Sequence, residues 1–133
     1  WCGPCKMLAN NNFKNKDLVK YVNDNYYAVK FNGEGNEVAN YKGQKFENKG
    51  YDPALAERRN ATHPLTGYMQ VQAYPTMVFL DENNDLITGI TGYMSPTQLE
   101  LYLKMFNNND YKKITTQQEF QVYQSKFKPT FKN

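Results

Sequence analysis

Cys2 and Cys5 are the only two cysteines of the 133-residue chain, and they stand three positions apart in the run Trp1-Cys2-Gly3-Pro4-Cys5-Lys6. Two thiols at this spacing in the first turn of a helix can close a small disulfide. The start of a helix carries unpaired N–H groups and the positive end of the helix dipole, and both favour a thiolate at Cys2. A thiol that ionises near neutral pH is a nucleophile under physiological conditions. The spacing therefore predicts reversible thiol–disulfide chemistry.

The residues around the two cysteines support this interpretation over two alternatives. Pro4 lacks an N–H and restrains the loop, and Lys6 adds a nearby positive charge. A purely structural disulfide that closes so short a loop would gain little loop-closure entropy. A zinc site would need ligands from a second chain, because two cysteines and one histidine cannot supply four ligands.

The composition limits the remaining function classes. Hydrophobic residues make up 40% of the chain, which suits one domain with its own core. The mean hydropathy of −0.82 and the lack of a long apolar run exclude a membrane span. The net charge of +3 comes from scattered residues and gives no basis for binding nucleic acid or an anionic membrane.

Periodicity and turn signals predict the elements that must position the cysteines. Residues 3–25 have a helical pattern interrupted by three asparagines at 10–12, and the β-branched and aromatic residues 26–32 predict a strand. Residues 76–80 and 86–91 flank a polar turn and predict a hairpin. Capping boxes at 95–98 and 116–119 predict the starts of two further helices.

The segment between residues 33 and 70 has the weakest pattern. Residues 36–41 favour a helical turn, and residues 42–50 favour a loop or a small hairpin. Asp52 followed by Pro53 is typical of a helix start. His63 precedes a proline and is expected in a turn or on the surface, and not as a base or a metal ligand.

The run WCGPCK resembles, letter for letter, the active-site motif of thioredoxin. Residues 71–76 (VQAYPT) resemble the family segment that carries a cis-proline before a strand. Gly92 resembles the glycine of the substrate groove, and Lys30 stands where thioredoxins carry a buried lysine. The resemblance implies an α/β thioredoxin-like fold, with a central mixed sheet flanked by helices.

The resemblance also implies the organisation of the chain. A thioredoxin-like domain covers residues 1–106 with an insertion around 33–65, and residues 107–133 form a C-terminal helical extension packed on it. The family's strand before the motif, which carries a buried acid, would precede Trp1. We therefore expect this chain to lack its N-terminal strand or strands.

The roles that the resemblance implies fall into three groups. Cys2 would be the exposed attacking thiolate and Cys5 the buried resolving thiol. An extended client strand would bind at Tyr74, Pro75, Thr76 and Gly92. Active-site support would come from Trp1, Gly3, Pro4, Lys6 and Lys30.

The expected function is reduction of protein disulfides through the redox-active Cys2–Cys5 pair, without an organic or metal cofactor. The Gly-Pro dipeptide resembles that of reducing family members, which favours a reductase. The alternatives are a disulfide oxidase or isomerase and a peptide-binding module with little turnover. The expected partners are protein disulfides bound as extended strands and an unknown electron donor. A monomer is expected, with a strand-swapped dimer as the alternative. The compartment stays open, although residues 92–96 (GYMSP) resemble extracytoplasmic thioredoxin-like domains of disulfide-reducing systems, a resemblance that favours an extracytoplasmic location.

Overall fold

The computed structural model describes residues 1–132, which include both helices and strands. The helices are α1 (Gly3–Met7), α2 (Lys16–Asn25), α3 (Pro64–Tyr68), α4 (Pro96–Asn107) and α5 (Gln117–Lys126). The strands are β1 (Ala39–Tyr41), β2 (Gln44–Phe46), β3 (Thr76–Leu80) and β4 (Leu86–Thr91). A π-helical turn covers Leu8–Asn12, and 3-10 turns cover Pro53–Leu55 and Asp110–Lys113. None of these helices is long and apolar enough to cross a bilayer.

The chain divides into two compact units. The first unit comprises Trp1–Pro4 and Val29–Gly92, and the second comprises Cys5–Ala28 and the chain from Tyr93 onward. The α/β class predicted from the sequence is confirmed. Within the described residues the strands form two antiparallel pairs rather than one mixed sheet.

The first unit contains both pairs. Strand β1 pairs with β2, and β3 pairs with β4 in the register Thr76↔Thr91. The turn of the second hairpin is closed by Asp81, whose carboxylate accepts the N–H groups of Asn83 and Asp85. The predicted hairpin is therefore confirmed at both of its strands.

The strand predicted at residues 26–32 is wrong. In the described part of the chain this segment belongs to no strand. Tyr27 and Val29 have exposed fractions of 103% and 84%, and Lys30 is exposed as well. β-branched and aromatic residues form a strand only when a partner strand pairs with them, because their preference for the sheet depends on that packing.

Two predictions in the insertion are also wrong. Residues 36–41 were expected to form a helical turn, but β1 begins at Ala39, and its pairing with β2 supplies the backbone hydrogen bonds. The Asp52 carboxylate accepts the Ala54 N–H as expected of a cap, but the element that follows is only the 3-10 turn Pro53–Leu55 and not a longer helix. Its residues stay exposed, so no buried apolar face stabilises a longer helix.

The second unit has its core on α4. The Ser95 hydroxyl accepts the Gln98 N–H, and the Gln98 side chain accepts the Ser95 N–H, so the capping box predicted here is complete. The helix buries Leu99, Leu101, Leu103 and Met105. At α5, Thr116 caps the Glu119 N–H, but the Glu119 carboxylate accepts hydrogen bonds from threonine hydroxyls instead of closing the box.

Candidate functional site

Cys2 and Cys5 form a disulfide at the start of α1. Both cysteines are half-buried, which corrects the expectation of an exposed Cys2 and a buried Cys5, whereas Gly3 and Pro4 between them are exposed. Helix α1 begins at Gly3, so Cys2 directly precedes the first helical residue. A thiolate released at Cys2 would therefore lie beside unpaired helix N–H groups, which stabilise negative charge.

The segment before β3 contains a cis peptide bond between Tyr74 and Pro75. Pro75 is buried, and its carbonyl accepts the Gly92 N–H at 2.8 Å. Gly92 has φ +99°, and a Cβ built there would have no atom within 4 Å. The backbone around Pro75 is thus held to Gly92, with open space beside the glycine.

Thr76, the first residue of β3, is half-buried. Its hydroxyl donates to the Ala73 carbonyl at 2.6 Å and lies 3.1 Å from the Thr91 hydroxyl. These contacts link the Tyr74–Pro75 segment to β4 on the other side of the hairpin.

Trp1 is part of an aromatic and charged cluster in the first unit, here called the Trp1 cluster: Trp1, Glu34, Arg59 and Tyr74. The Trp1 ring packs edge-on against the Tyr74 ring, with 5.8 Å between centroids. The Arg59 guanidinium lies over the Trp1 ring at 4.5 Å and faces the Tyr74 ring at 6.0 Å. Nearly half of the Trp1 side chain, 48%, is nonetheless exposed.

Glu34 is the buried member of the Trp1 cluster, with an exposed fraction of 5%. Its carboxylate accepts hydrogen bonds from Arg59 Nη1 at 3.2 Å and from the Asn60 N–H at 2.7 Å. Burial, followed by the charge of Glu34 and the hydrogen bond to it, raises the pKa of Tyr74, and the Arg59 charge opposes this. Glu34 is therefore an electrostatic neighbour of both Arg59 and Tyr74.

The sequence interpretation missed Glu34 and Arg59. A signal was present in Gly33-Glu34-Gly35, where glycines flank a lone acid. A Cβ at Gly33 would lie 2.6 Å from Tyr74 Cε1, so the glycine leaves the space that the tyrosine ring occupies. Arg59 had no comparable signal, because an arginine in a polar insertion is usually solvated.

The family model described as a thioredoxin-like domain matches residues 1–107. The chain belongs to the thioredoxin-like domain family. No curated protein and no solved structure shows significant similarity to it. A thioredoxin-like domain with a Cys2–Cys5 disulfide fits a thiol–disulfide oxidoreductase in general.

Within the first unit of this thioredoxin-like domain, Trp1 and Tyr74 are in contact, and Pro75 and Gly92 are hydrogen-bonded. Lys30 is exposed, so the expectation of a buried lysine is wrong. The reason is that no strand within residues 1–132 pairs with the segment around Lys30, so no neighbouring strand buries its side chains. Lys6 is also exposed, on α1 after Cys5.

His63 is fully buried, which corrects the expectation of a surface or turn residue. Its Nδ1 accepts the Leu65 N–H at 3.1 Å as the cap of α3, and its Nε2 donates to the Glu37 carbonyl at 2.7 Å. The Phe31 ring packs edge-on against it at 4.8 Å. Both ring nitrogens serve the packing of the thioredoxin-like domain. Residues 1–132 contain no group of three histidine, cysteine or acidic side chains placed to hold a metal.

Proposed function

We propose that the chain is a thiol–disulfide reductase of protein clients. The observation that carries the proposal is the disulfide between Cys2 and Cys5, together with the exposed ring of Trp1, which precedes Cys2 in the chain. The Tyr74–Pro75 segment, whose ring packs on Trp1, supports it as the place where a client backbone binds.

The reaction begins with the reduced pair. The Cys2 thiolate attacks one sulfur of the client disulfide, the client S–S bond breaks, and the second client sulfur leaves and takes up a proton. The Cys5 thiolate then attacks Cys2 Sγ in the mixed disulfide. The first client sulfur leaves and is protonated, and Cys2 and Cys5 become a disulfide. The client gains two electrons and two protons, and a thiol donor must return the same number to the pair.

The other residues of the site assist binding in this proposal. An extended client strand hydrogen-bonds the backbone at Tyr74 and Thr76, which extends the local β-structure by one short strand. Pro75 has no N–H, so it offers the client backbone no donor at that position. Gly92 leaves room for the client backbone, and Trp1 is an apolar wall beside Cys2.

Two cysteine variants test the mechanism. Cys2→Ser is expected to abolish reduction of a disulfide-containing peptide, because the nucleophile is lost. Cys5→Ser is expected to accumulate a peptide adduct on Cys2, visible as added mass under non-reducing conditions. Turnover that persists in Cys2→Ser would overturn the proposal.

The direction of the reaction is tested by the redox potential of the Cys2–Cys5 couple. Equilibration with dithiothreitol or glutathione buffers should give a value near about −270 mV, which is typical of reducing members. A value near about −120 mV belongs to strong oxidants, and it would replace the reductase with an oxidase.

A further inference from the structure

Arg59 brings a positive charge from the insertion to the residue that precedes Cys2. Its guanidinium stacks on Trp1 at 4.5 Å, yet 74% of its side chain is exposed. A guanidinium has five N–H donors in a planar fork, and that fork matches the geometry of a carboxylate. The contact with Glu34 involves one of its nitrogens, Nη1, and the exposed edge faces solvent.

Glu34 explains why this arginine is held in one place. A buried carboxylate is stable only when donors surround it, and here the donors are Arg59 Nη1 and the Asn60 N–H. The stacking on Trp1 adds a cation–π contact. Arg59 is therefore positioned by the buried Glu34 carboxylate and by the Trp1 ring, unlike an ordinary surface arginine.

We infer that Arg59 is a specificity-determining residue, which selects client disulfides that carry a carboxylate next to the attacked cysteine. This inference rests on the proposed function. A client cysteine that reaches Cys2 comes beside Trp1, because Trp1 directly precedes Cys2. Arg59 stacks on the Trp1 ring, so in this inference its guanidinium lies within reach of the side chain that flanks the client cysteine. An aspartate or glutamate there gains a charge-assisted hydrogen bond, whereas a lysine is repelled.

The first experiment compares two disulfide peptides that differ only beside the cysteine, one with aspartates and the other with asparagines. We expect kcat/KM to favour the aspartate peptide by about threefold to fivefold, as for one exposed ion pair. The preference should be present at 0.1 M salt and lost at 1 M, since the screening length falls from about 10 Å to about 3 Å. Equal kcat/KM for the two peptides at low salt overturns the inference.

The second experiment assigns the preference to Arg59. Arg59→Gln is expected to remove the preference for the aspartate peptide. The matched control is Arg58→Gln, which removes the same charge one position earlier. Arg58 is exposed and has no ion pair in the described residues, so its variant should keep the preference. An equal fractional loss on both peptides in Arg59→Gln overturns the inference, because Arg59 would then act on Cys2 reactivity or on folding.

Arg59→Gln leaves the Glu34 carboxylate buried without its cation, and this variant could unfold. The double variant Glu34→Gln with Arg59→Gln avoids the unpaired buried charge. Its circular dichroism should match the wild type, and its peptide preference should be absent. A folded double variant that retains the preference contradicts the inference.

A binding measurement separates this inference from the proposed function. Trp1 is the only tryptophan, so its fluorescence reports on the Trp1 cluster alone. The aspartate peptide with serines in place of its cysteines should shift this emission in the wild type and not in Arg59→Gln. If that shift occurs but neither disulfide peptide is reduced, the reductase proposal fails and the Arg59 site stands. If both are reduced at equal rates and no shift occurs, the inference fails and the reductase proposal stands.

Discussion

At the residue scale, the Trp1 cluster depends on Gly33, which has no side chain. Gly33 lies against the ring of Tyr74, and Tyr74 in turn contacts Trp1 and faces the Arg59 guanidinium. The φ angle of Gly33 is outside the left-handed region, so the backbone does not require a glycine there. The glycine is required because a side chain would collide with the Tyr74 ring. A larger residue at position 33 would displace the Tyr74 ring from its contacts with Trp1 and Arg59.

Gly33→Ala is therefore expected to destabilise the protein by about 1–3 kcal/mol, the usual cost of adding a methyl group to a packed contact. The new Cβ would lie 2.6 Å from Tyr74 Cε1. The displaced ring should also change the fluorescence of Trp1. Urea unfolding and the emission spectrum measure the two effects.

Gly67→Ala is the matched control for that substitution. Gly67 lies in α3, and a Cβ there would have no atom within 4 Å. Alanine should stabilise the helix by about 0.5–1 kcal/mol and leave the Trp1 emission unchanged. If both variants lose stability equally, the close contact between Gly33 and Tyr74 does not explain the result.

At the element scale, the helices begin where side-chain caps satisfy the first N–H groups. Ser95 caps α4, Thr116 caps α5, Asn15 caps α2, and His63 caps α3. Three of these are residue types with strong capping preference, and two of them were recognised from the sequence. His63 was not, because an imidazole cap is evident only after the ring is seen to be buried.

Ser95→Ala is expected to lower the free energy of unfolding by about 0.5–2 kcal/mol, because the Gln98 N–H loses its acceptor. For a chain of this size the melting temperature should fall by roughly 2–8 °C. Ser125→Ala serves as the control, since the Ser125 hydroxyl only donates to the Val122 carbonyl within α5. A melting temperature unchanged in Ser95→Ala would show that the box adds nothing to the stability of α4.

At the scale of the whole molecule, the C-terminal segment is tied to the second unit by one buried acid. Glu100 on α4 is fully buried, and it accepts the N–H groups of Thr130 and Phe131 and the ammonium of Lys104 at 2.7 Å. Phe131 is buried, and Lys104 lies over its ring at 5.1 Å. The boundary predicted at residue 106 stays a prediction, but these contacts show how the residues after α5 are attached to α4.

This arrangement predicts a pH dependence of stability. Burial raises the pKa of Glu100, but the hydrogen bonds from Lys104, Phe131 and Thr130 together outweigh burial and lower it below its ordinary value of 4.5. A carboxyl with a lowered pKa in the folded state stabilises that state above its unfolded pKa. The contribution is therefore present at neutral pH, and it is lost as the pH falls below about 4.5 through the folded pKa.

Glu100→Gln should reduce the free energy of unfolding at pH 7 by about 2–3 kcal/mol, as for lost charged hydrogen bonds. The difference from the wild type should shrink as the pH falls below about 4.5. Glu82→Gln, in the exposed hairpin turn, is the control and should change little at any pH. Urea unfolding across pH 3–7 measures the difference, and a constant gap over that range contradicts the role of Glu100.

The sequence by itself determined the features that rest on local chemistry. The cysteine spacing predicted the redox pair, turn and strand residues predicted β3 and β4, and the capping box predicted α4. These features form between residues close in the chain, so their pattern can be seen in one short window.

Only the tertiary structure decided which residues meet across long separations. Residues 26–32 have the composition of a strand, but strand formation depends on a partner, and none pairs with them in residues 1–132. Glu34 and Arg59 are 25 positions apart, and Trp1 and Tyr74 are 73 apart. Local sequence does not show which residues pair, because the burial that makes their contacts stabilising exists only in the folded chain.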